Sequence, residues 1–206
     1  MASCSPARIT TASITRCFRR LLSLLVPLLL LGASLARADN LEVRDARIEN
    51  ADDGYVVTAD FGIELNPRLE EAINKGVTLH FVFEFELLRP RWYWFDEKPV
   101  EAVQAYRLSY HALTRQYRLS AGTLYQGFPT LGDALKLLAR PRLPAFDRAR
   151  VKQGETYNAA VRMRLDVAQL PKPFQLSALT NREWTLDSDW KRFSFRPESN
   201  GAGERK

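Results

Sequence analysis

The chain predicts a mostly β fold, an antiparallel β-sandwich or open barrel with two short helices, and three observations carry that expectation. The first is a two-residue period. Val77, Leu79, Phe81, Phe83 and Phe85 alternate with Thr78, His80, Val82, Glu84 and Glu86, the pattern of a strand with one buried face. The second is the number of shorter runs of similar character separated by turn residues, which favours antiparallel sheets over a parallel α/β arrangement. The third is that helix start and stop signals occur together in only two places.

Taken in order, the strand runs are Leu41 to Ile48, Tyr55 to Leu65, the Val77 to Glu86 run, Trp92 to Phe95, Ala105 to His111, Gln116 to Ser120, Tyr157 to Val167, Gln175 to Leu179 and Lys191 to Phe195. Between the second and third, Asn66 supplies an N-cap, Pro67 fits the first helical position and Gly76 can close the C-terminus, so Pro67 to Lys75 reads as a two-turn helix. The second helix starts at Thr130, with Asp133 three residues on as in a capping box. Leu131, Ala134, Leu135 and Leu138 then recur at helical spacing until Pro141. Both helices are expected to cover a sheet edge or barrel end.

Residues 1–38 have the pattern of a secretory signal peptide. Arg8, Arg16, Arg19 and Arg20 lead into the apolar stretch Leu21 to Leu31, and Ala36-Arg37-Ala38 is a small-residue site that predicts cleavage between Ala38 and Asp39. Residues 39–198 then read as one β-rich domain, and the polar stretch 199–206 as a disordered tail. Leu21 to Ala36 contains Pro27 and falls short of the ~20 residues a spanning helix needs. No membrane span is therefore expected after cleavage, an uncleaved anchor being the alternative.

Removing this segment changes the electrostatics. It holds five arginines and no acid, so the whole-chain charge of +6 becomes +1. With no global field and no basic stripe interleaved with aromatics, nucleic acid is not an expected partner. Cys4 and Cys17 also lie in this segment, so the mature chain has neither a disulfide nor a thiol nucleophile, and its stability must come from packing.

Candidate chemistry is sparse. His80 and His111 sit in strand patterns without a nucleophile turn, and two histidines far apart give no short metal-ligand spacing. No cofactor motif is present. Carboxylate pairs are the enzyme alternative, a carbohydrate-active hydrolase using Glu84, Glu86, Asp96 or Glu97, because an acid and a base at the right separation suffice for glycoside hydrolysis. The arginines Arg107, Arg115, Arg118, Arg162 and Arg164 lie within or beside strands, where they can pair across strands with Glu84, Glu86 or Asp166. The densest unusual feature is Arg91-Trp92-Tyr93-Trp94-Phe95. In a strand, Trp92 and Trp94 point one way and Tyr93 and Phe95 the other, so the cluster is either doubly buried core or an accessible platform. Arg91, Trp92, Tyr93 and Trp94 are the candidate interaction surface.

That cluster continuing through Asp96-Glu97-Lys98, the stretch Tyr106-Arg107-Leu108-Ser109-Tyr110 with Leu113 to Ser120, the run Leu165-Asp166 to Leu170-Pro171-Lys172-Pro173-Phe174, and Asp187-Ser188-Asp189-Trp190 together resemble domain-of-unknown-function family 4390. This is an uncharacterised proteobacterial group, and the resemblance covers nearly the whole mature chain. It implies a Gram-negative exported protein of the periplasm and assigns no catalytic residue. Members encoded beside a membrane sensor kinase of the nitrogen-regulation type imply an accessory role in envelope signalling. The expected function is a non-enzymatic binding or interaction module whose partner is an envelope protein such as that sensor kinase. A scaffold in envelope assembly is a further alternative.

Overall fold

The computed structural model describes residues 41–90, 97–144 and 146–197. The chain divides into two units, residues 1–38 and 39–206, and all described residues lie in the second. Their order is β1 (Leu41–Ala51), β2 (Gly54–Ile63), α1 (Pro67–Asn74), β3 (Leu79–Arg89), β4 (Glu97–His111), β5 (Gln116–Ala121), β6 (Leu124–Phe128), α2 (Leu131–Leu138), β7 (Tyr157–Leu165), α3 (Lys172–Thr180) and β8 (Lys191–Phe195). β1 and β2 form a two-stranded sheet, and the rest form one sheet ordered β6-β5-β4-β3-β7-β8. Every strand pairing is antiparallel. The fold is mostly β as expected, without a closed barrel.

The alternation in β3 decides which face is inside. Leu79, Phe81, Phe83, Phe85 and Leu87 are fully buried, while His80, Glu84 and Glu86 on the other face are half-buried. The inner face meets β2 through aromatic contacts, Phe61 edge-on to Phe83 at 5.7 Å and Tyr55 edge-on to Phe195 at 5.2 Å. Such pairs add to the area they bury. Leu69, Ala72 and Ile73 of α1 and Ala134 and Leu138 of α2 join the same core.

Both expected helices form, with the expected caps. Asn66 Oδ1 accepts from the Leu69 amide at 3.0 Å, and Thr130 Oγ1 from the Asp133 amide at 3.2 Å. Two expectations change. Gln175 to Leu179, read as a strand, belongs to α3, whose first turn carries Pro173 and no orphan amide at that position. The Gln175 side-chain amide fastens this helix by donating to the carbonyls of Ala168 and Leu170 at 2.7 and 2.6 Å. α3 fully buries none of its residues; only Phe174 and Ala178, one turn apart, rest half-buried on the core, too short an apolar stripe to stand out against an alternation that reads as a strand. The second difference is β6, a strand beyond those expected from the sequence. The expected strand Trp92 to Phe95 and the tail 199–206 lie outside the described residues.

β4 starts earlier than its sequence signal. Its register with β3 shifts between Leu87 and Arg89, next to Pro99, and β5 pairs only with Tyr106 to His111. Proline is tolerated at such an irregular position because no regular ladder bond is lost there.

Candidate functional site

The expected surface Arg91, Trp92, Tyr93 and Trp94 lies outside the described residues, as does Asp96, and so do the cleavage positions Ala38 and Asp39. The strands flanking residues 91–96 are tied at their ends. Arg89, only 19% exposed, pairs with Glu97 and, at 3.0 Å, with Glu155.

The remaining nominated carboxylates lie on the outer sheet face and are held by cations. Arg162 and Arg164 both donate to Glu84, the second at 2.9 Å, and Lys98 Nζ lies 3.0 Å from Glu86. The Arg162 guanidinium is also stacked over the Trp190 ring at 4.5 Å. Burial raises the pKa of Glu84, but hydrogen bonds and charge from the two arginines outweigh burial and hold it below the usual glutamate value. A general acid of glycoside hydrolysis needs the opposite shift. Arg162, Arg164 and Glu84 thus form the cross-strand ladder expected from their pattern. His80 is shifted down by burial and the nearby Arg107 charge, with Asp166 opposing. His111 Nδ1 is 3.1 Å from the Thr114 hydroxyl. Among the described residues no group of three or more His, Cys, Asp or Glu is placed to hold a metal ion, and no helix is long and apolar enough to cross a membrane.

What the strand order does assemble is a groove at one sheet edge. The tight connection Gly122-Thr123 joins β5 to β6; Gly122 has φ +61° while Thr123 is not in the left-handed region, the signature of a type II′ hairpin turn. Ala121 and Leu124 face each other across it. Leu124 therefore shares the inner face with Leu119 and Tyr106, but the covering layer has ended there, leaving Leu124 78% exposed. α2 supplies the opposite wall through Leu137, which lies off the helix's buried stripe and is 44% exposed.

Beyond α2 the chain runs along β2. Phe61 donates to the Ala139 carbonyl at 2.8 Å, Leu143 to Val57 at 3.0 Å, and Tyr55 and Phe146 exchange bonds at 3.0 and 2.9 Å. Pro141 and Leu143 face inward and Arg140 and Arg142 outward, which sets two arginines on the rim. The result is a groove of about 280 Å³, floored by Tyr106, Leu119, Ala121 and Leu124 and rimmed by Arg140 and Arg142. Tyr106 is pushed up in pKa by burial, partly offset by a hydrogen bond with the Arg142 backbone. Arg140 lies 3.6 Å from Asp60. Arg142 has no ion pair among the described residues.

Edges distinguish this place further. β1 carries Glu42, Arg44, Asp45, Arg47 and Glu49; β8 carries Lys191 and Arg192; the part of β4 beyond β5 carries Lys98, Pro99 and Glu101. Charge and proline are the usual guards against unwanted strand pairing. β6, Leu-Tyr-Gln-Gly-Phe, has neither. Tyr125 on its outer face is 69% exposed, with the Arg118 guanidinium 5.5 Å from its ring centre. None of Leu124, Leu137, Arg140 or Arg142 was singled out in the sequence. The only local signal was an uncharged alternating run after a glycine turn.

The described residues thus form two antiparallel sheets with an uncharged edge strand beside an apolar groove. The chain matches the family model described as a domain of unknown function, DUF4390, over residues 38–194, and belongs to that family. No curated protein and no solved structure matches it.

Proposed function

We propose that the protein is exported to the periplasm and acts there, without catalysis, as an interaction module for an envelope protein. The candidate partner implied by the family resemblance is the extracytoplasmic part of a membrane sensor kinase. The observation that carries the reading is the uncharged β6 edge lying beside an apolar, arginine-rimmed groove, since exposed apolar patches and open edges mark interaction sites. The leader-like residues 1–38 support export, and the ion pairing of Glu84 and Glu86 argues against their use in hydrolysis.

The test is photo-crosslinking in living cells from a reactive residue placed at Leu124, with Leu176 of α3, 68% exposed, as the control site. One envelope protein captured from position 124 and not from 176 is the expected result. Absence of capture at 124, or the same products from both sites, contradicts the reading.

A further inference from the structure

Resting on the reading that the β6 edge is the contact, we propose that it receives an extended, acidic segment of the partner as an added strand, with Arg142 pairing a carboxylate of that segment. Backbone geometry supplies the first part. A two-residue turn makes Ala121 and Leu124 a hydrogen-bonded pair, and hydrogen-bonded and non-hydrogen-bonded pairs alternate along an antiparallel ladder. The amides of Leu124, Gln126 and Phe128 therefore point at β5, and those of Tyr125 and Gly127 point away from the sheet. Two outward peptide groups on an uncharged strand form a template for strand addition.

Side-chain chemistry supplies the rest. Alternate residues of an added strand face the groove floored by Leu119, Tyr106 and Leu124, which calls for apolar groups at those positions. The rim is cationic: Arg140 is already shared with Asp60, whereas Arg142 has no carboxylate among the described residues. Arg118 beside Tyr125 adds a third positive charge near the edge. A second copy of this chain fits poorly, because β6 brings no acid and the pairing would set arginine-bearing surfaces toward each other. An acidic strand meets both the apolar floor and the unpaired guanidinium.

The experiment measures binding of the purified full chain, by fluorescence anisotropy, to short synthetic peptides that alternate valine with serine and carry glutamate, serine or lysine in place of one groove-facing valine. The glutamate peptide is expected to bind best, and the lysine peptide about tenfold or more weaker. Arg142→Gln should remove most of the preference for glutamate over serine. Gly127→Pro deletes one outward amide and should weaken all three peptides; a Cβ there meets only the flexible Gln116 Oε1, at 3.0 Å. If Gly127→Pro misfolds, Arg142→Gln still decides. Equal binding of the three peptides, no binding of any, unaltered preference in Arg142→Gln, or sedimentation as a β6-linked dimer overturns the proposal. If any of these occurs while position 124 still crosslinks one envelope protein, strand addition fails and the interaction reading stands. Loss of crosslinking removes both.

Discussion

Glu84→Gln tests whether the carboxylate at the centre of the outer sheet face is a structural counter-ion. Its side chain is 14% exposed and accepts from both Arg162 and Arg164, which are about one-third exposed. Glutamine keeps one acceptor oxygen but turns an NH2 group toward the second guanidinium and removes the negative charge that the two arginines share, leaving Arg164 only Asp166, at 3.8 Å. A charge-assisted hydrogen bond contributes ~1.5–3 kcal/mol, and solvent screening of the arginine ends reduces this to ~1–2 kcal/mol. For a domain of this size that lowers the melting temperature by about 2–8 °C. The acid dependence supplies a second check. Because folding lowers the pKa of Glu84, its contribution is fully present above the ordinary glutamate value of 4.5 and is lost as pH falls below that toward the depressed folded value. Thermal unfolding of both proteins at neutral pH and at steps below 4.5 should show a gap that closes with acid. Equal stability at neutral pH, or a gap unchanged by acid, refutes the assignment.

Further outcomes follow from the packing and from the assignment of the contact to β6. Phe83→Ala removes a fully buried ring and its edge contact with Phe61, and should cost ~3–5 kcal/mol in denaturant unfolding; a loss under 1 kcal/mol, read on the same ~kcal scale, contradicts the core assignment. Thr58 Oγ1 is buried without a hydrogen-bond partner, so Thr58→Val should be neutral or raise stability by up to ~1 kcal/mol. Gly54 has φ +142° and an added Cβ would sit 2.1 Å from the Phe146 carbonyl oxygen. Gly54→Ala should therefore break the Tyr55–Phe146 bridge and destabilise by more than ~1 kcal/mol, a loss visible in hydrogen exchange at Tyr55. If β6 is the contact, replacing Trp92 and Trp94 by alanine should leave crosslinking from position 124 intact. Loss of crosslinking in a folded variant moves the contact to the aromatic segment.

How much of this was readable in the chain depends on how local the signal is. β3 announced itself because one strand face is entirely buried and the other carries His80, Glu84 and Glu86. α1 and α2 were visible because Asn66, Pro67 and Thr130 act on amides within a few residues of themselves. α3 was not, since its inner face consists of Phe174 and Ala178 alone, too few to set a helical period; Pro171 and Pro173 were the cue that a helix begins there. β6 was obscured by Gly127, which reads as a turn residue but here sits in a strand. The groove could not be found from sequence at all. Its floor and rim come from β4, β5, β6, α2 and the segment along β2, and only the order β6-β5-β4-β3-β7-β8 brings Tyr106, Leu124, Leu137 and Arg142 to one edge. The pairing of Glu84 with Arg162 and Arg164 was anticipated as a possibility of charge pattern, whereas its direction of pKa shift required the geometry.

The most direct measurement is amide hydrogen exchange of Tyr125 and Gly127 in the free protein and in complex with the partner captured from position 124. Both amides are predicted to exchange rapidly when free and to slow by about tenfold or more in the complex, because an added strand gives them acceptors. Slow exchange already in the free protein, or protection that appears on another element and leaves these two amides unchanged, contradicts the account.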